Sequence, residues 1–303
     1  MVPVVNEKKR QLVFVHGRSQ QGRDPVAAKK EWVDALREGL RKAGRELPID
    51  ETDIRFPFYG DTLIGMIEGR SGDDLANVIV MGTEEDDRER RFLEAVLREV
   101  KDQAGVTDEQ VREVNQAELV EMGIQNSAPV LALLRAINEY LPGLGGALIS
   151  AVTHDVYVYL HNGRIAERID DGVSEAMSSD RENVVVAHSL GSVVAYRLIS
   201  ERARESAWKV PRLITVGSPL GIRAINGSLG ATRHPAAVGE WMNAYDPADV
   251  VALRPLSAPW FAVDPAVKNN GGVDNEFDDH HGIRGYLGDP AVAEWVYQAL
   301  TAP

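Results

Sequence analysis

Residues 184–194 read VVVAHSLGSVV, and this stretch decides the fold. Its three valines suit a short strand that is buried on both faces of a parallel sheet. The strand runs into a turn in which two small residues, Ala187 and Gly191, lie two positions before and two positions after Ser189. Apolar residues then return at helical spacing as far as Ile199. The stretch therefore predicts a strand, a tight turn and a helix in immediate succession.

This order of elements is the one that a nucleophile elbow requires. A strained strand-to-helix turn raises a serine hydroxyl above the sheet, and small residues on either side let the strand and the helix approach closely. Ser189 is therefore the candidate nucleophile. An ordinary strand–helix turn without chemistry is the alternative interpretation of the same residues.

Apolar runs of strand length alternate with helical patterns over much of the chain. Trp32, Leu36 and Leu40 recur at helical spacing, and Gly44 provides a helix stop. Strands are predicted at residues 12–15, 54–58, 184–186 and 213–216, with weaker candidates at 241–245 and 260–263. Such alternation predicts βαβ units with right-handed crossovers. We therefore expect an α/β fold with a doubly wound, mostly parallel sheet.

One long segment, residues 62–150, is mainly helical in character and interrupts this alternation. Phe92, Val96 and Val100 repeat every four residues, and residues 107–110 have the spacing of a capping box. A helical block of this length is too long to be a simple crossover between two strands. It is therefore interpreted as an insertion over the sheet.

The chain is accordingly divided into two parts. Residues 1–61 and 151–303 are expected to form the α/β core, and residues 62–150 are expected to form a cap or lid. Our hypothesis is that this insertion roofs the crevice at the carboxyl ends of the strands and favours acyl or lipid-like substrates.

Composition excludes several classes of function. The 303 residues include 33 Lys and Arg and 46 Asp and Glu, which gives a formal net charge of −13. This acidity argues against nucleic acid and anionic lipid as partners, because both recruit basic side chains. The chain has no cysteine, so disulfides, thiolate metal sites and a cysteine nucleophile are excluded.

The sequence shows no targeting signal. The first residues contain too short an apolar stretch for a signal peptide. The most apolar region, residues 128–152, is interrupted by charged residues, a proline and glycines, so no stable membrane insertion is expected. Cytoplasm is the expected location.

A second strand end carries chemistry at residues 13–18, which read VFVHGR. Acyl transfer passes through a tetrahedral oxyanion, which backbone N–H groups stabilise. The N–H of Leu190 opens a helix behind the nucleophile and is one candidate donor, and the N–H of Arg18 is the other. The alternative is a phosphate loop, because residues 17–24 have its glycine spacing, although the Lys and the Ser or Thr that follow the second glycine of such a loop are lacking.

Serine needs an adjacent base, and the base needs an orienting carboxylate. Asp249 lies just past a probable strand and is the preferred acid, while Asp246 at the end of that strand is the alternative. His281 lies next to a glycine in the loop before the last predicted helix and is preferred over His280 as the base. His188 flanks the nucleophile and is interpreted as structural.

The acidic loop around these histidines also permits a metal site. Its hard ligands would be Asp274, Glu276, Asp278 and His280. These residues lack a recognised spacing such as that of a calcium loop.

Together these segments resemble the α/β-hydrolase superfamily, particularly its lipase- and esterase-like members. The resemblance rests on five short segments of the chain. These are His16-Gly17, residues 187–191, Gly217-Ser218-Pro219, the run from Asn243 to Val251, and His281 followed by Gly285-Tyr286-Leu287.

The resemblance implies a serine hydrolase of carboxylic esters that works through an acyl-enzyme. In it Ser189 is the nucleophile, Asp249 the acid and His281 the base, with Leu190 and Arg18 as oxyanion donors. No metal or organic cofactor is implied, and the substrate would be a small-molecule or lipid-like acyl ester. An acyltransferase or thioesterase with the same triad, and a non-catalytic binding protein of this fold, are the alternatives.

Overall fold

The computed structural model describes residues 10–17, 24–59, 84–122, 129–140, 146–275 and 279–302. Its sheet has six strands: β1 Arg10–Val15, β2 Ile54–Arg55, β3 Glu182–His188, β4 Lys209–Val216, β5 Val238–Ala244 and β6 Lys268–Asn270. They lie in the order β2-β1-β3-β4-β5-β6, and every neighbouring pair is parallel. The predicted α/β class with a parallel sheet is thus confirmed.

Helices flank the sheet. They are α1 Pro25–Lys42, α2 Glu84–Gln103, α3 Asp108–Met122, α4 Pro129–Tyr140, α5 Gly146–His161, α6 Gly163–Ala176, α7 Leu190–Arg202, α8 Arg223–Gly227, α9 Ile283–Gly288 and α10 Pro290–Thr301. Two 3₁₀ turns lie at Glu51–Asp53 and Pro219–Gly221. Among the described helices, none is both long enough and apolar enough to cross a membrane.

Local sequence explains where the first helix begins and ends. The side chain of Asp24 accepts hydrogen bonds from the N–H groups of Val26 and Ala27, and Pro25 occupies the first helical position. Two residues past Lys42, Gly44 has a φ of +70°, which only glycine adopts without strain. The predicted capping box also forms, since the Thr107 and Gln110 side chains each accept from the other residue's N–H.

The strands divide their side chains between two cores. Leu12 and Phe14 of β1 pack with α1, α9 and α10 on one face of the sheet. Val13 and Val15 pack on the other face with apolar side chains from α2, α4, α5, α6 and α7. Because successive side chains of a strand point to opposite faces, this pattern requires the near-continuous apolar runs seen in the sequence.

Two strand predictions need correction. Residues 260–263 form the end of a turn, a bend and an irregular stretch, and the edge strand is β6 instead. That strand consists of Lys268, Asn269 and Asn270, so it has no apolar pattern from which a strand could be predicted. The strand predicted at 54–58 is only two residues long, because Pro57 cannot donate a hydrogen bond to a sheet ladder.

The strand order reverses direction at β1. From β1 the chain passes through α1 to β2 on one side, whereas β3 lies on the other side and continues through α7 to β4. The chain therefore leaves the carboxyl ends of β1 and β3 in opposite directions. A crevice forms at such a switch point, and both His16-Gly17 and Ser189 lie there.

Candidate active site

Ser189 occupies a strained turn between β3 and α7. Its φ is 54° and its ψ is −129°, a conformation that residues with a side chain rarely adopt. The turn also packs tightly against β1. A Cβ on Gly191 would lie 2.2 Å from the carbonyl oxygen of Val15, and a Cβ on Gly17 would lie 2.6 Å from the Cβ of Ser189. Glycine is therefore required at both positions if this turn is to form.

The structure brings three predicted residues together at this turn. His281 Nε2 lies 2.8 Å from the Oγ of Ser189, and His281 Nδ1 lies 2.8 Å from the Oδ2 of Asp249. Both distances are those of hydrogen bonds, and all three side chains are buried. Asp249 follows β5 and His281 precedes α9, so separate loops at the same end of the sheet supply them.

Hydrogen bonds hold Asp249 as a carboxylate. Burial alone would raise its pKa, but the attraction and hydrogen bond of His281, with hydrogen bonds from Tyr286 and the Val251 N–H, lower the pKa below its usual value. The Tyr286 hydroxyl donates to Oδ2 at 2.7 Å, and the Val251 N–H donates to Oδ1 at 2.8 Å. Because a carboxylate only accepts, His281 Nδ1 carries the donated proton, which leaves Nε2 to accept from Ser189.

The two alternative residues of the sequence analysis pair with each other. His280 Nδ1 lies 2.9 Å from the Oδ2 of Asp246, which also accepts from the N–H of Asn275 at 3.0 Å. Asp246 N–H in turn donates to the Tyr286 hydroxyl at 3.1 Å. This second pair lies beside the first, but the imidazole that accepts the hydrogen bond of Ser189 is that of His281.

The two candidate oxyanion donors differ in how far the structure describes them. Leu190 is the first residue of α7, so its N–H has no acceptor within the helix and lies at the positive end of the helix dipole. Arg18 lies outside the described residues, as does most of the alternative phosphate loop. Of that loop, the structure describes Gly17, which packs against Ser189, and Asp24, which caps α1.

His16 stabilises the end of β1. Its Nδ1 lies 2.8 Å from the Gly17 carbonyl oxygen, and its Nε2 accepts from the Tyr59 N–H at 3.1 Å. The Tyr59 hydroxyl also donates to the His16 carbonyl, and the two rings stack. Burial lowers the pKa of His16 to about 4, so the ring is neutral with its proton on Nδ1.

Sequence analysis missed three residues of this region. Tyr286 was noted without a role, and Asn275 and Tyr59 carried no signal. His188 was interpreted as structural, and its Nε2 lies 2.8 Å from the carbonyl oxygen of His281. Only the position of Tyr59 just past a strand, at the carboxyl edge of the sheet, offered a hint.

A cleft of about 850 Å³ opens beside the base. His281 and His188 form part of its wall, and charged side chains form much of the rest. These charged residues are Glu31, Lys42, Asp274, Asp279, Arg284 and Asp289. Such a lining suits water and polar groups better than a hydrocarbon chain.

The described residues contain no group of three or more His, Asp or Glu side chains that is suited to a metal ion. Of the alternative metal set, Glu276 and Asp278 lie outside the described residues. His280 makes its hydrogen bond to Asp246.

In comparisons with known proteins, the chain matches no family model and no curated protein.

Proposed function

We propose that this chain is a serine hydrolase that cleaves carboxylic esters on a sheet of the α/β-hydrolase type. The observation that carries the proposal is the continuous chain of hydrogen bonds from Ser189 through His281 to Asp249. A serine hydroxyl becomes a useful nucleophile when a base accepts its proton and an acid orients that base.

The geometry supports the following sequence of steps. Ser189 Oγ attacks the ester carbonyl carbon while its proton passes to His281 Nε2, and Asp249 stabilises the imidazolium. The N–H groups of Leu190 and Arg18 are proposed to hold the oxyanion. When the tetrahedral intermediate collapses, His281 gives its proton to the departing alcohol oxygen. Water, activated by His281, then attacks the acyl-enzyme, which releases the acid and restores the serine hydroxyl.

Chain order and topology support the hydrolase type of sheet. The nucleophile, acid and base follow one another as Ser189, Asp249 and His281, the order found in α/β-hydrolases. The nucleophile follows a central strand, and the acid and the base lie in loops that come later along the sheet. These features resemble that fold without any sequence match.

We further propose that residues 62–150 cap the site. In support, Leu148 of α5 lines the same cleft as His281. The variant Leu148→Trp is expected to shift the preference among p-nitrophenyl esters towards shorter acyl chains, because the larger side chain narrows the cleft that His281 lines. The profile of hydrolysis rate against acyl length measures the effect, and an unchanged profile would argue against a cap in contact with substrate.

The direct test is covalent labelling with a fluorophosphonate probe. The wild-type protein is expected to label, and Ser189→Ala is expected not to label. His281→Ala and His280→Ala form a matched pair, because the two residues are adjacent and each binds one carboxylate. Only His281→Ala should abolish labelling. A wild-type protein that stays unlabelled, or equal losses in both histidine variants, would count against the proposed function.

A further inference from the structure

The loop that carries His281 has three successive carbonyl groups held by buried side chains. Asn275 Nδ2 donates to the His280 carbonyl at 2.7 Å and makes a longer contact to the Gly282 carbonyl at 3.4 Å. His188 Nε2 donates to the carbonyl of His281 itself at 2.8 Å. Both side chains are buried, and hydrogen bonds in such surroundings are stronger than hydrogen bonds in water.

The residue that holds the His281 carbonyl directly precedes the nucleophile. His188 is the last residue of β3, and Ser189 begins the strained turn. The ring centroids of His188 and His281 lie 4.7 Å apart. The turn that presents the hydroxyl and the loop that presents the base are thus joined by one hydrogen bond between residues 93 positions apart.

The surroundings fix the orientation of the His188 ring. Gly217 has a φ of +56°, and a Cβ there would lie 3.1 Å from His188 Cδ2. On another side, Trp32 packs edge-on against the ring with centroids 6.1 Å apart. Gly217 and Trp32 therefore restrict the ring to an orientation in which Nε2 points to the His281 carbonyl.

His188 also has the protonation state that this bond requires. Burial, and then the charge of His281, lower its pKa to about 3. The ring is neutral at ordinary pH, and because a carbonyl only accepts, Nε2 carries the single ring proton. A neutral neighbour adds no charge repulsion when His281 becomes an imidazolium.

We propose that His188 is a positioning residue that keeps His281 Nε2 within hydrogen-bond distance of Ser189 by donating to the His281 carbonyl. This inference rests on the proposed function, since it assigns His188 a role in that same reaction. The benefit is geometric, because small misplacements of a reacting group lower rates steeply.

The test compares His188→Gln with His188→Asn. Both substitutions introduce a primary amide, but the Gln amide nitrogen reaches the place of His Nε2, whereas the Asn nitrogen falls short at the place of Nδ1. The measurements are kcat and KM for p-nitrophenyl butyrate and the rate constant of fluorophosphonate labelling. The fraction of protein that labels at completion gives the concentration of active sites, and the rates are expressed per active site. For Asn we expect kcat and the labelling rate to fall about 10- to 100-fold with KM little changed. Gln should restore most of both.

A second readout does not depend on activity. The proton between His281 Nδ1 and Asp249 should give a sharp, far-downfield NMR signal in the wild type and in His188→Gln, and a broadened signal in His188→Asn. If His188→Asn does not fold, His188→Leu replaces it as the variant without a donor.

The outcomes separate the two claims. Equal normalised rates and equal NMR signals in the variants with and without the donor would overturn the role of His188. A purely structural role would lower the melting temperature and the fraction that labels but leave kcat per labelled site unchanged, which would also overturn it. A wild type that fails to label would instead overturn the proposed function, and the NMR comparison would still decide whether His188 orders His281.

Discussion

Asp249 accepts hydrogen bonds from an imidazole, a phenol and a backbone amide in a space closed to water. Each donor favours the ionised carboxylate, and together they outweigh the cost of burying it. The neighbouring Asp246 has a comparable set of donors and its own histidine. The two acids therefore differ in the imidazole that each one orients, and the hydroxyl of Tyr286 donates to Asp249.

The variant Asp249→Asn tests this difference. An amide at this position removes the charge that stabilises the imidazolium and no longer requires the proton of His281 to reside on Nδ1. We expect kcat for p-nitrophenyl butyrate to fall by about 10⁴-fold with the fold intact. Asp246→Asn is the matched control and should cost much less, so similar losses in both would contradict the assignment of Asp249.

The buried His16 makes stability depend on pH. Its pKa is about 4 in the folded protein and about 6.5 in an unfolded chain, so the unfolded chain takes up a proton that the folded protein refuses. The contribution of the neutral His16 to the free energy of unfolding is complete above pH 6.5 and is lost as the pH falls towards 4. It corresponds to about 3 kcal/mol in the free energy of unfolding.

Denaturant unfolding of the wild type and of His16→Gln at pH 7, 5.5 and 4.5 checks this expectation. The variant lacks the titrating group, so its free energy of unfolding should fall less over that range. Identical pH profiles for the two proteins would show that His16 is not held neutral.

Sequence predicts these residues unequally for a physical reason. Ser189 is marked by its neighbours, because small residues must flank a tight strand–helix turn. Asp249 and His281 each have a rival nearby, Asp246 and His280, and local pattern ranks them only by their place in a loop, because each acid pairs with a histidine in the fold. The hydrogen bond from His188 to the His281 carbonyl joins residues 93 positions apart, so the sequence near either residue does not predict it.

At the scale of single elements, the elbow depends on close approach of α7 to the end of β1. The variant Gly191→Ala would place a methyl group 2.2 Å from the Val15 carbonyl oxygen and 2.5 Å from that of His16. Both atoms belong to the backbone, so no side chain can move aside, and we expect a large loss of thermal stability and no fluorophosphonate labelling.

Gly172→Ala provides a matched helical control. Gly172 lies inside α6, and a Cβ there meets nothing within 4 Å. Alanine is a better helix former, so this variant should gain about 0.5–1 kcal/mol in the free energy of unfolding. If the two substitutions had similar effects on the melting temperature, the close approach at Gly191 would be refuted.

Elements also differ in how well sequence predicts them. Strands β3 and β4 lie inside the sheet, and burial on both faces imposes an apolar run that is easy to recognise. Edge strands such as β6 need only backbone pairing, and its Lys-Asn-Asn sequence carries no such mark. Helix α2 is predictable because Phe92, Val96 and Val100 repeat with the helical period, and the capping box at residues 107–110 marks the start of α3.

At the scale of the whole molecule, one apolar cluster joins helices α2, α4 and α5 to the sheet. Val96 of α2, Ile137 of α4 and Val152 of α5 belong to the same core as Val13 and Leu190. The sheet face they cover would be exposed to water without them. We therefore expect these helices and the sheet to unfold together.

Tryptophan fluorescence offers a clean probe of that cooperativity. All five tryptophans lie outside residues 84–176, so their emission reports the sheet and its other helices, while far-UV circular dichroism also reports α2 to α6. The two melting curves are expected to coincide. A circular dichroism transition at lower temperature would indicate that the helical segment unfolds on its own.

The backbone conformation of Ser189 lowers the stability of the fold but is needed for the proposed reaction. Its positive φ costs about 1–3 kcal/mol for a residue with a side chain, a cost that glycine would avoid. A library of this gene selected only for heat tolerance should drift towards glycine at position 189. A library selected for turnover should retain serine there and accumulate its compensating substitutions elsewhere in the protein.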